Sequence, residues 1–301
     1  MRAPATENLR KGYLSAFIVV LIWSGFILVS RLGGKSNLTP YDVMALRFMV
    51  AGVLFLPFWL KKRTNLLNWR LLVLSLTGIL IYGSFVFNGF RMAPANHAAI
   101  LLPGFMPFAV TCIAYLILGE KVSRQRAIGL AIIAMGVGCV AIENFGASGF
   151  ALKGDTLIII GSLFWSTYTV LLRKWKMDPF HTTVAVTLLA VILFLPVYAL
   201  FLPKGLHDTP WNGILLQALY QGIMAGFVQM ILFTKSVHIL GPTRLGLVMA
   251  LVPVMVGIAA VPVLGEPLTP LICAGLLFVS LGAYLGNRQA PSKKFTLAIP
   301  D

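Results

Sequence analysis

Pro107–Glu120 reads PFAVTCIAYLILGE, and Pro253–Glu266 reads PVMVGIAAVPVLGE. Each is an apolar stretch that opens on proline and closes on Gly-Glu, and the second follows the first by 146 positions. Gly129 and Gly136 recur as Gly275 and Gly282 at the same offset. Upstream, Trp23-Ser24 returns as Trp165-Ser166 and Arg31 as Arg173, both 142 positions later. Phe55-Leu56-Pro57 returns as Phe194-Leu195-Pro196, 139 later. One such pair can be coincidence, but an ordered series is a repeat. The chain divides into two halves, 1–147 and 148–301.

What surrounds these landmarks is apolar. Of 301 residues, 58% are hydrophobic and 11% charged, against about 25% charged in a soluble domain. Mean hydropathy is +0.90. So little charge cannot clothe two water-facing domains, and the main solvent is lipid. A crossing helix needs about 20 apolar residues. Charge, proline and glycine clusters cut the chain into ten such stretches, at 12–31, 41–60, 70–91, 94–118, 124–142, 154–172, 181–202, 211–235, 241–264 and 267–287. Only Arg91, Pro94, Asn96 and His97 separate the third from the fourth, so nine is the alternative count.

Charge placement gives an orientation. With the N-terminus inside, eighteen basic residues fall on the inner side and five (Arg31, Lys35, Arg91, Lys153, Lys204) on the outer, with Arg47 left within a span. Cytoplasmic loops carry this excess. The net charge of +15 is therefore read as a topology signal rather than nucleic-acid binding, and both termini are expected in the cytoplasm. Five helices per half is an odd number, so the second half enters from the opposite side. Two inverted repeats are a construction of secondary transporters.

Little in the sequence suggests an enzyme. His97, His181, His207 and His238 show no HxxxH or HExxH spacing, and Cys112, Cys139 and Cys273 lie singly in apolar runs. They read as small hydrophobes, not metal ligands. Gly33-Gly34-Lys35-Ser36 lacks the earlier glycine of a phosphate loop, where Val29 stands. The expectation is no catalytic site, no metal, no cofactor, no nucleotide and no nucleic-acid partner.

With its paired Trp-Ser helices and Pro-to-Gly-Glu helices, the chain resembles the EamA-type family of the drug/metabolite transporter superfamily over about residues 12–288. The resemblance implies an all-α integral membrane fold of ten transmembrane helices, two inverted five-helix repeats around a central cavity. It implies a secondary transporter, often an exporter of metabolites or amino acids, in the cell inner membrane. The aromatic residues further resemble those of aromatic amino-acid exporters. The first, third and fourth helices of each half would line the cavity. Carried onto this chain, the candidate substrate-binding residues are Trp23, Tyr82, Phe85, Asn88, His97, Trp165, Tyr168, Gln221 and Gln229, with Asn96, Ser166 and Tyr220 beside them.

Physical chemistry gives these residues two readings. Amides deep in hydrocarbon face a partner or water, so Asn88, Gln221 and Gln229 serve either the cavity or interhelical hydrogen bonding. Tyr82, Phe85 and Gly89 share one helical face, as do Gln221, Ala225 and Gln229. Trp23 and Trp165 lie too deep for an interface belt. Gly222 and Gly226 are expected to admit a neighbouring helix. Arg47 is expected to pair with Asp42 or to snorkel outward. His97 is the one proton-relay candidate, so uncoupled export stands level with proton antiport. The function expected is alternating-access export of small metabolites, amino acids including aromatic ones, by a monomer. The alternatives are a cationic drug or nucleoside cargo on the same scaffold, or an intramembrane enzyme.

Overall fold

The structure, a computed structural model, describes residues 3–144 and 149–287. Every regular element among them is helical. Ten helices follow in order: α1 (Ala3–Lys35), α2 (Pro40–Lys62), α3 (Trp69–Met92), α4 (Ala95–Leu118), α5 (Arg124–Glu143), α6 (Gly149–Lys174), α7 (Pro179–Phe201), α8 (Trp211–Met249), α9 (Val252–Leu264) and α10 (Pro270–Asn287). By length and apolarity, nine of them could each cross a bilayer, and α9 is shorter.

The helix ends follow from local chemistry. Thr39 caps α2 reciprocally: its hydroxyl accepts from the Asp42 N–H while the Asp42 carboxylate accepts from the Thr39 N–H, and Pro40 supplies a preset φ at the first position. Asn68, Ser123 and Asp178 cap α3, α5 and α7. Gly119 and Gly265 end α4 and α9 at φ 67° and 66°, a left-handed conformation that glycine adopts without steric cost. This is the physical reason for the glycine in both Gly-Glu pairs.

The third and fourth helices separate where expected, at extended Ala93 before Pro94. The eighth and ninth expected spans also part where expected, at Gly241. Helix α8 runs through position 235 to Leu240, breaks at Gly241 (φ 79°, ψ 160°) and continues as 242–249. Pro242 cannot donate a backbone hydrogen bond, and glycine alone tolerates that turn. The expected span 241–264 is thus the tail of α8 followed by α9, joined through Ala250 and Leu251. Counting the Gly241 break, with that span as one stretch, the described residues form ten helical stretches in the expected order.

Packing places α1 at the centre, against α3, α4, α8 and α9. Around it α3 packs on α6, α2 on α7 and on α8, and α5 on α10. Among the described residues three stretches are π-helical, Leu76–Ile81 in α3, Ile100–Gly104 in α4 and Ala218–Val228 in α8. Where α2 meets α8, a Cβ on Gly222 would strike Val50, and one on Gly226 would sit 3.1 Å from Ala51 Cβ. The glycines therefore do admit the neighbour closely.

The α5–α10 seam is closer still. A Cβ on Gly129 would lie 2.6 Å from the Gly282 carbonyl oxygen, and one on Gly282 would lie 2.6 Å from that of Gly129. Gly136 and Gly275 oppose each other in the same reciprocal way. The two backbones touch in antiparallel register. Large apolar side chains such as Val53, Leu116, Leu200 and Leu277 lie exposed on the periphery, as a lipid-facing surface requires.

Candidate functional site

Three polar or aromatic groupings occupy the interior. The first joins α1, α2 and α8. Arg47 donates through Nη1 to Gln221 Oε1 at 3.1 Å, and its guanidinium lies over the Phe26 ring, 5.3 Å from the centroid. Gln221 is fully buried and donates to Ser30 Oγ at 2.9 Å, while Gln217 donates to the Val29 carbonyl at 2.7 Å. The expected Arg47–Asp42 pairing is not formed. Asp42 is fully buried and its carboxylate is taken by Thr39, the Gly205 N–H at 2.8 Å and the Tyr198 hydroxyl. It staples α2 to α7, while Arg47 turns to α8.

The second grouping is aromatic and joins α3 to α6. The Trp165 ring lies 5.0 Å from that of Tyr82 and 5.3 Å from that of Tyr168, both tilted. Phe85 stacks on Phe164 at 5.9 Å, so the Tyr82–Phe85–Gly89 face lies against α6. Across the bundle, Tyr220 donates to the Ile22 carbonyl at 3.2 Å in the space Gly25 leaves. Trp23 is half-buried against the main core. Asn88 donates to the Ser84 carbonyl within its own helix at 2.8 Å. Ser166 likewise bonds the Ser162 carbonyl at 2.7 Å. Gln229 is half-buried, and its side chain has no hydrogen-bonded partner among the described residues.

The third grouping sits at one end of the bundle. Glu266 receives Arg31 Nε at 2.7 Å and the Ala95 N–H at 2.6 Å, with Lys35 Nζ at 3.6 Å. Arg31 also donates to the Phe90 and Arg91 carbonyls. Beside it His97 Nδ1 faces Asp155 Oδ2 at 3.0 Å, and Asn144 donates to the same oxygen at 2.6 Å. The other oxygen, Asp155 Oδ1, is buried without a partner among the described residues. A cavity of about 210 Å³, lined by Arg31, Asn96, His97, Glu143 and Glu266 among others, opens between the two clusters.

At the opposite ends of α4 and α6, Arg173 meets Glu120 at 3.4 Å. These are the repeat partners of Arg31 and Glu266. Each pair joins an arginine from one half to a glutamate from the other. The first is nearly sealed, at 12% and 9% exposure, and the second is open, at 45% and 46%. Among the described residues no group of three His, Cys, Asp or Glu side chains could hold a metal.

The structure therefore unites Tyr82, Trp165 and Tyr168, sets Phe85 on the same α3–α6 contact through Phe164, places Gln221 on Arg47, and sets His97 apart from both. Sequence reasoning missed Asp155, Ser30 and Gln217. It also missed both ion pairs, although the recurrence of Arg31 and Glu120 was a signal for them.

The EamA-like transporter family profile matches this chain twice, over residues 10–142 and 152–288. The chain belongs to the EamA-like transporter family. It is a multi-pass membrane transporter of small solutes. It is 24% identical to an uncharacterized transporter of Clostridium kluyveri, covering 95% of this chain and 97% of that one. It is 26% identical to one of Archaeoglobus fulgidus, over 91% and 96%. A protein of Ancylobacter novellus described as an aromatic amino acid exporter is 24% identical, over 61% of this chain and 68% of its own. A solved crystal structure shares the fold at a TM-score of 0.64 and 21% identity, covering 93% of this chain and 99% of that one.

Proposed function

We propose that this transporter exports small amphipathic metabolites, amino acids including aromatic ones, by alternating access between two inverted repeats, 1–147 and 148–301. It does so as a monomer in the cell inner membrane with both termini in the cytoplasm. The observation that carries this reading is the pair of equivalent ion pairs. Arg31–Glu266 and Arg173–Glu120 exchange under the repeat and lie at opposite ends of the bundle. One is buried and reinforced by backbone carbonyls, and the other is loose and wet. A carrier closed at one end and open at the other has this asymmetry. Given the basic-residue distribution, the sealed end is the outer one, so the carrier rests open toward the cytoplasm.

The reciprocal glycine seam supports the inverted repeat, since Gly129–Gly282 maps onto Gly275–Gly136 under the offset of 146. A self-complementary contact of that kind is the mark of a two-fold relation. The aromatic grouping supports an amphipathic solute, because tilted rings give apolar contact and stacking surface. The likeness to the aromatic amino acid exporter of Ancylobacter novellus points the same way.

The test is counterflow in proteoliposomes of the purified protein, with labelled Phe, Trp, Met and Thr, each with and without a pH gradient. The expected result is saturable exchange of Phe and Trp. Exchange of a cationic dye with none of the four amino acids would overturn the cargo. Acceleration by the gradient would assign proton coupling.

A further inference from the structure

We propose that Arg47 is the receptor for an anionic group of the solute, so that the substrates are small carboxylates with an apolar or aromatic body. The proposal rests on the preceding reading only in that the bundle carries an amphipathic solute through its centre.

Arg47 lies seven residues into α2, about 10 Å along the helix from Pro40, and points among α1, α3 and α8. No ion pair joins it to a carboxylate among the described residues. Asp42 is saturated by Thr39, Gly205 and Tyr198, so it cannot rotate to compensate. A charge held in a membrane interior is costly, and such residues face protein or water and mark solute pathways. Among the described residues, its one side-chain hydrogen bond goes through Nη1. The Nε and Nη2 edge, the side of the fork that binds a carboxylate through two parallel hydrogen bonds, has no protein partner among the described residues.

The surroundings hold the guanidinium rather than neutralise it. Gln221 Oε1 takes one N–H, and its own Nε2 is anchored on Ser30. Since an amide oxygen carries no charge, it orients the fork and leaves the positive charge available. Phe26 holds the near face of the plane, and Tyr82 packs against the core cluster to which Phe26 belongs. From Tyr82 the aromatic wall continues through Trp165 to Tyr168. A carboxylate on the free edge of Arg47 would therefore place an attached apolar body toward the aromatic rings. The receptor favours carboxylates over amines, because a cation would meet a fixed like charge.

The experiment compares counterflow and binding of three probes: phenylalanine, 3-phenylpropionate (carboxylate, no amine) and phenethylamine (amine, no carboxylate). The wild type is expected to exchange the first two and reject the third. Arg47→Gln is expected to raise KM for the carboxylates at least tenfold while retaining thermal stability in detergent, since removing an unpaired charge relieves its desolvation. Gln221→Glu sets a built-in carboxylate on the fork and is expected to fold and to compete, weakening the same probes by a similar factor. Unchanged KM in both variants would overturn the receptor while leaving amino-acid export standing. Exchange of phenylpropionate but not phenylalanine would uphold the receptor and overturn the amino-acid cargo. Exchange of phenethylamine alone would overturn both.

Discussion

Arg47 illustrates what a sequence can and cannot say about one residue. Its presence inside a span was visible, and so was an acid five positions earlier. The partner was not, because Asp42 is claimed by groups 156 and 163 positions distant, Tyr198 and Gly205. Spacing along a helix ranks neighbours on that helix and is blind to what arrives from another. Gly25 makes a companion case. A Cβ there would land on the Tyr220 hydroxyl, with the ring carbon Cζ at 2.6 Å. Gly25→Ala is expected to cost about 1–3 kcal/mol through overpacking. Tyr220→Phe, which removes the displaced hydroxyl, should cost about 1 kcal/mol alone and less in the Gly25→Ala background. Thermal unfolding of the four proteins in one detergent measures the coupling, and strict additivity would refute the contact.

At the scale of elements, the ends of helices were more legible than their company. Proline, serine and glycine mark termini through local hydrogen bonding, so the Pro94 boundary and the Gly119 and Gly265 stops followed from chemistry within a few residues. The break at Gly241 was legible as a boundary signal, because Gly241-Pro242 stands among Lys235, His238 and Arg244. Hydropathy alone cannot say on which side of such a glycine a crossing ends. The α5–α10 seam needed both helices in view. Its glycines were visible as a repeated pair, and their mutual contact was not. Gly282→Val is expected to separate the two backbones and destabilise the protein by several kcal/mol, on the order of a severe core substitution. Gly138, with nothing within 4 Å of its Cβ position, should accept valine with a change near zero, apart from a small effect of helix propensity. Equal loss of melting temperature in the two variants would show that the seam carries no packing energy.

For the whole molecule, the two ion pairs set the balance between the ends. A solvent-exposed pair contributes about 0–1 kcal/mol, whereas removing one member of a buried pair costs about 3–5 kcal/mol. Loss of Glu266 should therefore shift the conformational equilibrium far more than loss of Glu120. Ser30 is 1% exposed and lies directly below Arg31. In a background lacking the native cysteines, Ser30→Cys should be protected from a membrane-impermeant maleimide added outside. Adding Glu266→Gln should increase its labelling at least tenfold, and adding Glu120→Gln should not. Labelling unaffected by Glu266→Gln would remove the ion pair from any role in closure. The cross-half pairing was the least legible feature of all, since it depends on how the two halves interleave. The repeat supplied equivalent residues, but only the packed bundle joins each arginine to the other half's glutamate.

The unpaired charge on α2 has an electrical side. An empty bundle carries a fixed positive charge partway through the membrane, and so does one holding a zwitterionic amino acid, while a bundle holding an amine-free carboxylate on Arg47 is locally neutral. One elementary charge crossing the full field is worth about 2.3 kcal/mol per 100 mV, and partial travel a proportionate share. With an amine-free carboxylate as cargo, the return of the empty carrier therefore feels the membrane voltage, and the loaded step scarcely does. An inside-negative potential draws the arginine toward the cytoplasm and favours the inward-open rest state. The cell's voltage would then reset the carrier without any coupled ion.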